Sequence, residues 1–231
     1  MNPCGAARET NRGFVVFLCA FYAVWSLRVV LLMPVDARIE SEWLQLCWGQ
    51  SLRIALWVVP LLLYVRFVHK AAPWAWLRLN TLPRGRALRR GAGIITLFLA
   101  LCLVSGMLIQ GGRFQHLWQR TAAGWGQLLI GMSIVAVAEE LLFRGYVFRQ
   151  LRAARPFLPA SLISAGLFLL IHWPGWLYMQ GPHWGLLSLS ASIFVVGWVL
   201  ALVVEVTGSL WPAILLHFLN NILSAVMLAS L

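Results

Sequence analysis

Apolar runs of bilayer-crossing length recur along this chain, and that recurrence leaves it little choice of architecture. The first, Phe14 to Met33, follows a short polar lead carrying Arg8 and Arg12. At about 1.5 Å per residue it is long enough to cross a hydrocarbon core of roughly 30 Å. It is too long for the apolar region of a signal peptide and no small-residue cleavage site comes after it, so it is expected to stay as a span. Further runs extend over about Trp48 to Val68, Ala92 to Ile109, Trp125 to Phe148, Pro156 to Pro174, Leu186 to Val206 and Trp211 to Leu231. Pro60 should kink the second of them. The expectation is an all-α polytopic membrane bundle of about seven transmembrane helices, residues 1–231 forming a single integral membrane domain. A composition 61% hydrophobic and only 11% charged agrees, because it lacks the polar surface of a soluble domain.

The formal net charge of +11 raises the question of a nucleic-acid partner, and position answers it. Arg66 to Arg90 holds Arg66, Lys70, Arg78, Arg84, Arg86, Arg89 and Arg90 with no acid, and Arg149, Arg152 and Arg155 come after the fourth run. By contrast, Pro34 to Glu42 carries Asp36, Arg38, Glu40 and Glu42. Basic loops inside and the acidic loop outside satisfy the charge rule for membrane topology with a cytoplasmic N-terminus. The bilayer, not nucleic acid, is thus the expected partner, and a bacterial inner membrane the expected location. Trp74 and Trp76 suggest a short interfacial helix, and the Trp- and Tyr-rich segment Gly175 to Gly185 an outer interfacial loop. The other outer loop holds Gly111, Gly112, Arg113, His116 and Arg120, while Arg28 and Arg53 are expected near outer helix ends. Cys4, Cys19, Cys47 and Cys102 form no CxxC pair and read as free thiols.

Glu139 and Glu140 stand in the middle of the fourth run. An ionised side chain at the bilayer centre costs at least about 2.5–3.5 kcal/mol, so such residues face the bundle interior and mark a functional path. Glu140 and Arg144, at i and i+4 with the acid first, could simply lock the helix as an ion pair, but that leaves Glu139 unexplained. Glu139 has Phe143 at i+4 and so no cation on its own helix. Counted from the cytoplasmic ends of their runs, Glu139, His172 and Asn221 lie at a common depth of roughly 20–24 Å. His217 is one turn from Asn221 on the same face. A carboxylate and a His suit activation of water, and a second His with an Asn amide suits stabilisation of a developing oxyanion. No Ser or Cys sits beside a His as a nucleophile, which leaves water in that role.

Glu139-Glu140-Leu-Leu-Phe-Arg144, Phe168-Leu-Leu-Ile-His172 and His217-Phe-Leu-Asn-Asn221 read as EExxxR, FxxxH and HxxxN, in order on successive helices. The set resembles the CAAX protease and bacteriocin-processing family, intramembrane glutamic endopeptidases related to the prenyl-protein endopeptidase. The resemblance covers Ile134 to about Ser224 and divides the chain into N-terminal spans with a basic loop, 1–123, and a catalytic core, 124–231. It implies Glu139 as base, His172 as its water-activating partner, His217 and Asn221 as the oxyanion pair, and Glu140, Arg144 and Phe168 as supports, with no cofactor and no metal. Eight spans, as in some members, are then also possible.

The expected activity is hydrolysis of a peptide bond near the terminus of a membrane-associated or lipid-anchored protein or peptide. The alternatives are a sorting enzyme trimming C-terminal anchors, a metal-dependent protease with Glu139, His172 and His217 as zinc ligands, and a non-catalytic immunity or scaffold protein. A transporter is disfavoured because no inverted repeat is visible.

Overall fold

The computed structural model describes residues 3–110 and 121–227. Expectations placed on the loop with Arg113, His116 and Arg120, on the last residues to Leu231 and on the Cys4 side chain fall outside the described residues. Helix α1 is Pro3–Asp36, α2 is Glu42–Phe67, α3 is the single turn Pro73–Trp76 and α4 is Gly85–Gln110. Then come α5, Ala122–Ala154, α6, Phe157–Leu170, α7, Trp173–Gln180, α8, Gly185–Thr207, and α9, Trp211–Met227. Six helical runs are long and apolar enough to cross a membrane, α6 and α7 counting together, and α9 is a shorter apolar helix. The protein is an all-α, multi-pass integral membrane protein. Hydrocarbon offers no water to backbone amides, so an apolar run must satisfy them internally as helix.

Several boundaries differ from the expectation. α1 continues through Pro34 to Asp36, and α2 starts at Glu42 rather than near Trp48, with Ser41 capping it by accepting from the Leu44 N–H. The acidic loop is therefore only a few residues long, because the cap and the Glu42 carboxylate in the first turn favour an early helix start. Pro60 has no N–H to donate and crowds the preceding turn. Just ahead of it, Ile54–Val58 is wound as π-helix. The segment read as an outer loop from Gly175 is mostly helix α7: the chain turns at Ile171 and His172, and Pro174 sits in the first turn of the new helix, where a missing N–H costs nothing.

The longest run, α5, is also the most enclosed. Gln127–Gly131 and Leu141–Phe148 within it are π-wound, and every residue from Leu141 to Phe148 is buried. α2, α6, α8 and α9 all pack on it. α6 and α8 meet at Gly197, where a Cβ would come within 3.1 Å of Phe168 Cδ1 and 3.2 Å of the Ala165 Cα. Such small-residue contacts let membrane helices approach closely.

Hydrogen bonds tie each end of the bundle. At the Arg-rich end, Trp211 Nε1 donates to the Leu79 carbonyl at 2.8 Å, Ser209 Oγ donates to the Thr81 carbonyl at 2.5 Å, and Arg152 pairs with Glu205 at 2.8 Å. Gly208, with φ at 67°, ends α8 there in the left-handed conformation that a glycine adopts without strain. At the opposite end Thr121 Oγ1 donates to Glu42 at 2.6 Å, Arg28 pairs with Asp36 at 2.5 Å, and Trp48 Nε1 donates to Asp36 at 2.7 Å.

Candidate active site

Adjacent residues on a helix diverge by about 100°, so Glu139 and Glu140 enter different surroundings from the same turn of α5. Glu140 is sealed in the protein at 0% exposure. Its Oε1 accepts from Arg144 Nη1 at 2.8 Å and lies 2.8 Å from His217 Nδ1. Arg144 Nη2 donates to the Gly197 carbonyl at 3.0 Å, and its guanidinium lies 4.2 Å from the Phe168 ring centroid. The i, i+4 pair read from sequence is present, and it extends into a network joining α5, α6, α8 and α9. A carboxylate can only accept, so Nδ1 of His217 carries the proton in this contact.

Glu139 is not without a cation. Arg53 of α2 places Nη1 3.1 Å from Glu139 Oε1, and its guanidinium lies against the edge-on pair Trp25 and Trp57, 5.4 Å from each ring centroid. The expectation of Arg53 near the outer interface, and of Glu139 unpaired, is therefore corrected. Helix-local spacing cannot see a partner 86 positions away. The second Glu139 oxygen lies 3.7 Å from His217 Nε2, so His217 bridges the two carboxylates through its two nitrogens.

His172 stands where α6 ends. Its Nδ1 donates to the Phe168 carbonyl at 2.8 Å, one turn back, and its ring lies tilted on Trp176 at 5.4 Å. That bond fixes the tautomer and leaves Nε2 as the basic nitrogen.

Two cavities converge here. The first, about 410 Å³, is lined by Met132, Val135 and Ile193 and by the polar side chains Glu139, His172, His217, Asn220 and Asn221. The second, about 280 Å³, is lined by Trp25, Arg28, Gln50, Arg53, Trp57 and Trp176 together with Glu139 and His172. Glu139 and His172 are the residues common to both. The structure thus brings Glu139, His172, His217 and Asn221 around one space, as their common depth required. Asn221 lines it without a hydrogen bond to His217 or to either carboxylate among the described residues, and Asn220, which sequence reasoning left without a role, lines it too. The N-terminal spans contribute to the site as well, since α1 and α2 supply one wall of the second cavity. Among the described residues no group of three or more His, Cys, Asp or Glu is placed to hold a metal ion, so Glu139, His172 and His217 do not form a zinc-ligand set.

Residues 120–223 match the family model described as Type II CAAX prenyl endopeptidase Rce1-like. The matched segment contains all three motifs, from Glu139 to Asn221. No curated protein and no solved structure matches the chain. Over residues 120–223 this multi-pass membrane protein is thus similar to the type II CAAX prenyl endopeptidases, a family of proteases.

Proposed function

We propose that the protein is an intramembrane endopeptidase that hydrolyses a peptide bond near the terminus of a membrane-associated or lipid-anchored protein, with water as the nucleophile. The observation that carries this reading is the meeting of two cavities at Glu139 and His172, with a buried polar support behind them. A peptide laid from one cavity into the other has its backbone over those two side chains. The Glu139 carboxylate takes a proton from a water held between it and His172 Nε2, and the hydroxide formed adds to the scissile carbonyl carbon. Negative charge then develops on the carbonyl oxygen, toward which the Asn221 amide donates. Because His217 Nδ1 is committed to Glu140, only its Nε2 can take part, as a donor when both nitrogens carry protons. Collapse of the tetrahedral intermediate breaks the C–N bond, and the proton taken by Glu139 passes to the leaving amine.

In this reading the catalytic unit comprises residues 124–231 together with the α1 and α2 side chains that wall the second cavity. An orientation with the N-terminus in the cytoplasm is what the Arg distribution supports. The test is expression in membranes with a library of terminal-peptide substrates. Cleavage that Glu139→Ala abolishes, in a protein still inserted and folded, is expected; cleavage that persists in that variant refutes the mechanism.

A further inference from the structure

We infer that the substrate reaches Glu139 and His172 from the face of the bundle opposite the Arg-rich end, which makes the substrate class a polypeptide segment exposed on the non-cytoplasmic side of the membrane. This rests on the hydrolase reading above and adds the side from which the site is served.

The geometry is carried by where the helices begin and end. One end of the bundle gathers the last residue of α2, the turn α3, the start of α4, the end of α5, the start of α6, the end of α8 and the start of α9. Arg66, Lys70, Arg78, Arg84, Arg86, Arg89, Arg90, Arg149, Arg152 and Arg155 all lie there, against the acids Glu9 and Glu205. The other end gathers Asp36, Glu42, Ala122, Gln180, Gly185 and Met227, the termini of α1, α2, α5, α7, α8 and α9. The second cavity is lined by Met33 in the last turn of α1, by Gly49 and Gln50 toward the start of α2, and by Gly175 and Met179 on α7. The first is lined by Ser224 and Ala225 near the end of α9. Both cavities therefore reach toward the acidic end, and neither is lined by any of the ten cations named above.

A separate cavity of about 250 Å³ opens at the Arg-rich end, lined by Arg78, Gly145, Arg149, Arg152 and Glu205, but it stops at Arg144, and neither Glu139 nor His172 lines it. Immediately below Glu140, the stretch Leu141–Phe148 is buried throughout, and the fully enclosed Arg144 ties Glu140 to the Gly197 carbonyl. A charged plug of this kind offers no apolar passage, and breaking it would strand Glu140. Arg and Lys near span ends mark the cytoplasmic side. The side from which Glu139 and His172 are reached is then the outer one, and a tail confined to the cytoplasm meets a cavity that ends at Arg144.

The test pairs a labelling measurement with a cleavage measurement. In a variant with Cys4, Cys19, Cys47 and Cys102 replaced, a single cysteine is placed at Met179, on the open cavity, or at Ala154, at the Arg-rich end, and intact cells are treated with a membrane-impermeant maleimide. Met179→Cys should label from outside and Ala154→Cys only after permeabilisation. Alongside, single-span reporters carrying randomised terminal tails are inserted with the tail either outside or inside. Outward tails should be cut and inward tails spared, with cutting lost in Glu139→Gln. Labelling of Met179→Cys only after permeabilisation, or cutting confined to inward tails, overturns the inference while the hydrolase reading stands. If Met179→Cys labels from outside and neither reporter set is cut, access is as inferred and it is the hydrolase reading that fails.

Discussion

Replacing Arg53 with Ala removes the cation that the second helix holds against Glu139. At the observed 3.1 Å, and with an effective dielectric constant near 20, the attraction is about 5 kcal/mol. Much of it is offset by the desolvation of both charges, so the pair adds little net stability, but deleting one partner of a buried pair costs about 3–5 kcal/mol because the other is stranded. The Arg53 side chain is 19% exposed and borders a cavity, so water can partly replace it and the expected cost falls to about 2–3 kcal/mol. In a chain of this size that lowers the melting temperature by about 5–10 °C. The guanidinium also fixes which oxygen of Glu139 faces His217, so a relaxed carboxylate should lower kcat by about 10- to 100-fold, one to two steps of about 1.4 kcal/mol, with a smaller change in KM. Arg53→Lys keeps the charge but loses the guanidinium's contact with Trp25 and Trp57, and should recover part of both losses. Thermal unfolding in detergent and cleavage kinetics on the three proteins measure this. An Arg53→Ala protein that melts and turns over like the parent would show that Glu139 does not depend on α2, and the reasoning would fail.

The two carboxylates should separate in the same assays: Glu139→Gln is expected to be inactive and to lose less stability than Arg53→Ala, because the Gln amide oxygen still accepts from Arg53, whereas Arg144→Ala, which strands a wholly buried Glu140, should lose about 3–5 kcal/mol of stability. A fully stable Arg144→Ala protein would contradict the supporting role of that pair. Asn221→Ala should lower kcat by about 10²-fold with little change in KM if its amide serves the oxyanion; a change confined to KM would place it in substrate binding. At the Arg-rich end, partial burial, with the Arg149 guanidinium nearby, holds His69 below the ordinary imidazole range, and Gln150 Nε2 lies 3.2 Å from its Nε2. A base whose folded value is depressed binds its proton more readily when unfolded, so its contribution is intact above the usual His range and is lost as pH falls through the depressed folded value. His69→Gln should flatten the acid side of a stability-against-pH curve; an unchanged slope would refute the assignment.

The spans could be read from sequence because a hydropathic run of fixed length is a one-dimensional property, and the carboxylates because charge in such a run is conspicuous. Depth counting brought Glu139, His172 and Asn221 into one layer for the same reason, since rise per residue is set by the helix itself. Features that depend on rotation and on partners from other helices were out of reach. Arg53 reads as an interfacial residue because hydropathy starts its span at about Trp48, and only the start at Glu42 carries Arg53 deep enough to meet Glu139. Its position within an apolar run was the available signal, of the same kind that singled out Glu139. The bridging of both carboxylates by His217, and the choice between Asn220 and Asn221, depend on how α9 turns against α5, which no spacing rule specifies. The helix α7 was missed because its aromatic composition also suits an interfacial loop, and the turn at His172 that starts it is a local backbone choice.

The π-wound stretch Leu141–Phe148 has a consequence for how this chain can lengthen or shorten over evolution. π-winding holds more residues per turn than α-winding, so the stretch carries spare chain next to the buried pair. Loss of one residue on its far side, at Val147 for example, can be absorbed by rewinding, with Glu139 and Glu140 above and Arg149 below keeping their facings. The same loss within Met132–Glu140, which is plain α-helix, has no such slack and rotates the remainder of α5 by about 100°. Length variation among relatives should therefore collect in the wide turns and avoid the stretch that carries the carboxylates.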